Sequence, residues 1–316
     1  MSANHRPIRI GTRGSPLALV QARMVRDGLA AAHADLRGAD DIQIVPIKTT
    51  GDAVQDRKLM EIGGKGLFTK EIEEALLDGR IDCAVHSMKD MQTWLPGGLA
   101  IGAMLAREDA RDALFAKAGS RIAELPRGAV VGTASLRRQA QLLALRPDLT
   151  VVPLRGNVET RLRKLAAGEA DATLLAVAGL KRLGLLERAT TIIDSGEILP
   201  AVGQGAIGIE IRADDARLRA LLAPLDHRPT SLCVTAERAC LAELDGSCHT
   251  PIAAYAELAA DGRSLRLRSL IALPDGTAVH RDERAGPAAD PVALGRAAGQ
   301  RLKAAAEPAF FKVATA

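Results

Sequence analysis

The stretch "LDGSCHTP", residues 244–251, sets Cys248 on a glycine turn beside a proline, in a chain with four cysteines. A thiol in such a loop is reactive only where a supporting microenvironment exists. Without one it is an inert, half-exposed thiol, and the loop alone leaves both readings open. The other cysteines read as core: Cys233 and Cys240 lie seven apart in an apolar helical pattern, and Cys83 sits among alternating apolar residues in "IDCAVHS". No C-x-x-C spacing is present, and the six histidines are scattered, so neither structural disulfides nor a metal site is expected.

Cations form the second chemical pattern. Arg13, Lys65, Lys89, Arg137, Arg138 and Arg155 all fall at junctions between strand-like and helix-like segments. Each alone reads as a solvated charge, but strand ends and helix N-termini are where backbone N–H groups and the helix dipole favour anions. Arg137 and Arg138 open a helix, against the dipole, so a compensating anion is expected; arginine suits bidentate carboxylate contacts. The implied ligand carries several carboxylates or phosphates. Among these cations stands one carboxylate, Asp90 in "HSMKDM", either a surface ion pair with Lys89 or a group that stabilises a cationic intermediate and moves protons. His86 reads as a hydrogen-bonded structural histidine. "GGKGLF" lacks the P-loop spacing and "RIGTRGSP" lacks the dinucleotide G-x-G-x-x-G, so Gly63, Gly64, Lys65 and Gly66 make either a basic lid or a plain solvated loop.

The elements that must position these groups follow a strand-then-helix rhythm. "IRIGTR" leads into "SPLALVQARMVRDGLA", where Ser15 caps, Pro16 takes the first helical position, and Leu17, Val20 and Met24 make the apolar face. "FTKEIEEALLDGR" reads as a helix with Phe68, Ile72, Ala75 and Leu76 inward and Gly79 as its stop. The rhythm restarts with "GAVVGTAS" and a helix facing inward through Leu136, Ala140 and Leu143, then "LTVVPLRG" and a helix capped by Asn157 with Val158, Leu162 and Leu165 inward. Alternating strands and helices imply parallel sheets with ligand loops at the strand C-terminal ends. A third section has a helix through "SLCVTAERACLAEL", strands "IAAYAEL" and "LRLRSLIAL", a Pro-Asp-Gly turn and a last helix begun by Asp290 and Pro291, which makes a small α+β domain.

At 316 residues and 47% apolar content the chain suits two or three domains with their own cores. Aromatic residues at 2% leave little for base stacking, so nucleic acid is disfavoured despite the net charge of +4. "MSANHRPIRI" runs into strand-like alternation with no long apolar stretch, so no membrane span and a cytoplasmic protein are expected.

In order along the chain, "TRGSPLAL", "TTGD", "GGKGLFTKEIE", "AVHSMKD", "GTASLRRQAQL", "LRGNVETRL", "AVAGLKRLGL", "LPAVGQGAIGIE", "TAERA" and "GSCHTPIAAYAEL" closely resemble the porphobilinogen deaminase (hydroxymethylbilane synthase) family. The resemblance implies an α/β fold of two periplasmic-binding-protein-like lobes plus a small C-terminal α+β domain. Its division would be 1–105 with 200–223 as a discontinuous first lobe, 106–199 as the second, and 224–316 as the domain bearing the cofactor cysteine. It implies a transferase that condenses four porphobilinogen molecules with loss of ammonia and releases a linear tetrapyrrole, acting as a monomer without nucleic acid or membrane. Dipyrromethane would be the cofactor, held as a thioether on Cys248. Asp90 would be catalytic, while Lys89, Thr133, Ser135, Arg137, Arg138 and Gln204 would bind cofactor. Arg13, Ser15, Lys65, Phe68, Arg155, Arg161 and Arg182 would bind substrate. Glu61, Ala134, "DGSC" and Met91-Gln92 depart from the family's usual residues. The competing reading is a two-lobed binding protein that holds an anionic solute without chemistry.

Overall fold

The computed structural model describes residues 6–53, 69–244, 250–306 and 310–311. They divide into two compact units, one within 1–107 and 206–231, the other within 108–205 and 232–316.

In the first unit β1 (Ile8–Arg13), β2 (Ile42–Ile47), β3 (Cys83–Ser87), β4 (Leu99–Met104) and β10 (Ile207–Arg212) form a sheet of order β2-β1-β3-β10-β4. The pairs β1–β2 and β1–β3 are parallel, but β10 runs antiparallel to both β3 and β4. The sheet is therefore mixed, not parallel as the rhythm suggested. The reversed strand comes from a distant part of the chain, and the local strand-helix alternation carries no sign of it.

Helix α1 (Pro16–Ala32) packs on this sheet with Ser15 accepting from the Ala18 amide at 3.3 Å. Its inward face is Gln21, Ala22, Val25 and Leu29, not Leu17, Val20 and Met24; Met24 is 41% exposed. That face packs in one core with Ile8, Ile10 and Ile209, and Leu17 lines a pocket at the strand ends. Helix α3 (Lys70–Leu77), after the short α2 (Thr50–Ala53), buries Ile72, Ala75 and Leu76 as expected and stops before Gly79, whose φ of 68° suits glycine.

In the second unit β5 (Asp112–Ala116), β6 (Val130–Gly132), β7 (Thr150–Val152), β8 (Ala172–Ala176) and β9 (Thr191–Ile192) repeat the same plan in the order β7-β6-β8-β5-β9, with β5 antiparallel to β8 and β9. Helix α4 (Leu136–Leu145) buries Ala140 and Leu142 together with Arg137, Arg138 and Gln141, so its face is rotated from the Leu136–Ala140–Leu143 stripe. Polar partners beneath the helix, described below, set that rotation. Asn157 caps α5 (Val158–Ala166) by accepting from the Thr160 amide at 2.8 Å, and Leu162 faces inward. Helix α6 (Val177–Arg182) follows β8 directly, and α7 (Ala216–Leu222) belongs to the first unit.

The C-terminal section has its own core. Helices α8 (Arg228–Glu243) and α9 (Pro291–Ala305) cover an antiparallel sheet of β11 (Ile252–Leu258), β12 (Ser264–Ala272) and β13 (Val279–Pro287). Asp290 caps α9 by accepting from the Ala293 amide. The third strand was not expected; it is an edge strand rich in charge, "VHRDERAGP", where alternating exposure replaces apolar residues as the strand signal. Buried Glu237 of α8 accepts from the Gly203 amide at 2.7 Å and the Ala256 amide at 2.9 Å, which gives the "TAERA" glutamate a structural task.

Candidate active site

In the first unit a small cavity of about 50 Å³ opens where β1 and β3 end. Its polar lining is Arg13, Ser15, Gln21, Thr69, His86, Ser87 and Asp90. Three local features aim these groups. Arg13 is the last residue of β1, and Ser15 is fixed by its own cap bond. A single 3₁₀ turn, Met88–Asp90, carries Asp90 off the end of β3. That turn is seated by Met88, which is buried against Gly208; a Cβ at Gly208 would collide with the Met88 sulfur. Asp90 and Lys89 are exposed, so the turn presents both charges outward from a rigid base. Gln21 and Ser87 exchange hydrogen bonds of 2.8 and 3.1 Å along the wall. The sequence reading missed Gln21, because an amide on an amphipathic helix carries no distinguishing pattern.

In the second unit the helix-opening arginines are turned inward. Arg137 donates from Nη2 to Asp112 Oδ2 at 2.8 Å and from Nη1 to the Leu199 carbonyl at 2.7 Å. Arg138 holds Asp112 through Nε (3.1 Å) and Nη2 (2.7 Å), and the Leu174 carbonyl through Nη1 (2.9 Å). Gln204 Nε2 adds a bond to Asp112 Oδ1 at 2.8 Å and one to the Ala110 carbonyl at 2.6 Å. The anion expected to compensate these arginines against the helix dipole is thus an internal one, Asp112. Burial alone would raise the Asp112 carboxyl, but the two guanidinium charges and their bonds outweigh it and hold the group well below the usual carboxylate range. Ser135 caps α4 by accepting from the Arg138 amide, and Thr133 Oγ1 accepts from the Ser135 amide, so both hydroxyls are fixed at the helix mouth.

This buried cluster gives a stability prediction. Asp112→Ala leaves two buried guanidiniums without their carboxylate and should destabilise the protein by about 3–5 kcal/mol, read from urea or thermal unfolding. The depressed carboxyl contributes stability that is complete above the ordinary aspartate range and is lost as pH falls below it. The wild type should therefore lose stability steeply in strong acid, and the variant should show a shallower decline. Equal stability of variant and wild type at neutral pH would show that the cluster is not holding α4 in place.

The remaining cations are dispersed within the second unit. Arg155 is half-buried after β7, and Arg161 donates from Nε to the Gly156 carbonyl at 2.8 Å. Arg182 donates from Nη2 to the Gly205 carbonyl at 2.7 Å, while its Nε is buried with no partner among the described residues; burial lowers its pKa. Lys65, Phe68, Glu61, the "GGKG" loop and Cys248 with its "DGSC" neighbours lie outside the described residues. Of the other departures, Ala134 is exposed and Met91 is buried, while Gln92 donates to Thr69 Oγ1 at 3.1 Å, tying the segment after Asp90 to α3.

Cys83, Cys233 and Cys240 are buried, and burial pushes the thiols of Cys83 and Cys240 up to about 12. Neither of those two offers a thiolate near neutral pH. No group of three or more His, Cys, Asp or Glu among the described residues is placed to hold a metal ion.

Two family models match the chain: "Porphobilinogen deaminase, dipyromethane cofactor binding domain" over residues 8–220 and "Porphobilinogen deaminase, C-terminal domain" over residues 231–304. A porphobilinogen deaminase of Paracoccus denitrificans is 59% identical over 305 residues, covering 96% of each chain. A chloroplastic porphobilinogen deaminase of Oryza sativa subsp. japonica is 55% identical, covering 96% of this chain and 85% of its own. Among solved structures, a periplasmic substrate-binding protein of an ABC transporter from Coxiella burnetii is similar at 17% identity and a TM-score of 0.41, covering 73% of this chain and 96% of that one.

Proposed function

The chain belongs to the porphobilinogen deaminase family, and from that premise we propose that it condenses four porphobilinogen molecules head to tail, with loss of ammonia, and releases the linear tetrapyrrole hydroxymethylbilane by hydrolysis. It is a transferase of porphyrin and haem biosynthesis. The observation that carries this reading is the Asp90 pocket, where an exposed carboxylate on a rigid turn shares one wall with Arg13 and Ser15.

Each addition breaks the C–N bond of the substrate's aminomethyl group, and ammonia leaves with the bonding pair. A cationic methylene-pyrrole remains; a new C–C bond forms at its methylene, and the α-proton of the attacked ring departs. Positive charge is therefore what the site has to stabilise, and Asp90 is the group suited to it. Arg13, Arg155, Arg161 and Arg182 serve the substrate's carboxylates, with Ser15 as a neutral donor. Lys65 and Phe68 belong to this set by family likeness.

Dipyrromethane, when held as a thioether, supplies the first two rings of the chain. Cys248 is the anchor by family likeness; the three described cysteines are buried, and burial pushes the thiols of Cys83 and Cys240 up to about 12. By family likeness Lys89, Thr133, Ser135, Arg137, Arg138 and Gln204 belong to the set that binds dipyrromethane, and Arg137, Arg138 and Gln204 also hold Asp112. A plain binder of an anionic solute would employ the arginines but would give Asp90 and Cys248 no task. No described helix is long and apolar enough to cross a membrane. The reading has the protein working as a cytoplasmic monomer that needs no nucleic acid.

The test is the stoichiometry of purified protein with porphobilinogen: one ammonia per substrate consumed and a linear tetrapyrrole as product. Arg155→Ala should lose carboxylate recognition worth about 2–5 kcal/mol and pile up enzyme-bound chains of abnormal length, visible by native mass spectrometry. No ammonia from the wild type would contradict the function; normal kinetics of the variant would reduce Arg155 to a surface charge.

A further inference from the structure

Behind the wall of the Asp90 pocket lies a buried ionisable trio that the reaction described above does not use. His86 and Glu210 meet across the β3–β10 pairing, where Gly208 stands opposite His86 and Glu210 opposite Ala84, so the two side chains are diagonal neighbours on one sheet face. His86 Nε2 lies 3.1 Å from Glu210 Oε2, with side-chain exposures of 5% and 0%. A nitrogen and a carboxylate oxygen at that distance hold a proton between them. Nε2 is thereby committed, and any exchange of His86 with the pocket it lines goes through Nδ1. Glu73 of α3 is 4% exposed and lies within reach of the Glu210 and His86 charges. Its Oε2 is 3.5 Å from Gln92 Nε2, while its Oε1, like Glu210 Oε1, is buried with no partner among the described residues.

We propose, resting on the functional reading above, that His86 is a positioning residue for the reaction at Asp90, with Glu210 fixing its ring and Glu73 setting the charge of the buried unit, so that the trio governs the pH range of turnover. Two buried carboxylates with bare oxygens cannot both ionise beside one imidazole without uncompensated charge. Burial pushes the Glu73 carboxyl up and the Glu210 charge adds to this; the Thr69 bond, the His86 charge and the Gln92 bond offset it only in part. Of the charged groups on the neighbouring elements, Arg13 of β1 and Asp90 line the pocket with His86, Lys89 is exposed, Glu71 of α3 is bonded to Thr50, and Arg212 of β10 is held by the Leu76 and Ile81 carbonyls and Asp215; α1 presents Gln21 to the pocket and β4 has no titratable side chain. As Glu73 ionises, the wall of the pocket gains negative charge where the reaction develops positive charge, so turnover rises with pH through that step.

The test uses holoprotein whose Cys248 modification has been confirmed by mass. Glu210→Gln should lower kcat about tenfold to a hundredfold, as loss of an orienting partner does elsewhere, with KM little changed. Glu73→Gln fixes this side chain in its neutral form, so the rise of kcat with pH assigned to Glu73 should be absent and kcat should stay near the wild-type value at the acid end of that step. The same substitution should flatten a decline in wild-type stability as pH rises through that range, since the folded state holds this proton more tightly than the unfolded chain. If Glu210→Gln fails to fold, Glu73→Gln and the ¹⁵N shifts of the wild-type His86 ring decide; the shifts should show Nε2 carrying a proton. Profiles of both glutamine variants that superimpose on the wild type, or a ring protonated only at Nδ1, would overturn the proposal. Wild-type protein that releases no ammonia would sink the functional reading and this inference with it, whereas normal wild-type turnover with unaltered variants sinks only the inference.

Discussion

Asp90→Asn should reduce turnover about a hundredfold to a thousandfold, the range found when one preorganised electrostatic group worth about 2.7–4 kcal/mol is removed. The substitution keeps the side-chain shape and removes the charge. Ammonia loss makes one cation from the substrate and attack on it makes a second; a fixed carboxylate favours both over the ground states, which speeds chemistry instead of only tightening binding. The fold should survive, because Asp90 is exposed and its turn is seated by Met88 rather than by the carboxylate. Loading at Cys248 should survive too, since assembly needs far fewer turnovers than catalysis. Product formation by the mass-verified variant across pH is the check. A variant retaining most of its activity would make Asp90 a surface group.

Much of this arrangement is legible in the sequence, for physical reasons that vary by residue. Ser15, Asn157 and Asp290 announce helix starts because their side chains satisfy orphan amides locally, and each bond is present. Gly79 announces a helix stop because its backbone conformation excludes most other residues. The three core cysteines follow from their apolar surroundings. What is not legible depends on partners far along the chain. Asp112 and Arg137 are 25 residues apart, and Glu210 and His86 are 124 apart. Nothing local in "RDALFA" marks its aspartate as the anion for two later arginines, so an external ligand was the natural expectation. The reversed β10 and the charged edge strand β13 escape for the same reason: pairing fixes them, and their own periodicity does not.

The second large effect belongs to Cys248. Cys248→Ala should yield a folded chain with no covalent pyrrole and no turnover, since the cysteines that pack the described cores are Cys83, Cys233 and Cys240. The direct measurement is the mass of the purified wild-type chain, before and after porphobilinogen, with the modified residue assigned by fragmentation. The tryptic peptide 239–263 contains both Cys240 and Cys248, so intact peptide mass alone does not locate the bond. The account predicts an excess of two linked pyrrole units on Cys248, further additions of whole pyrrole units with substrate, and neither in Cys248→Ala. An unmodified mass in fully active protein, or an adduct on Cys240, would contradict it.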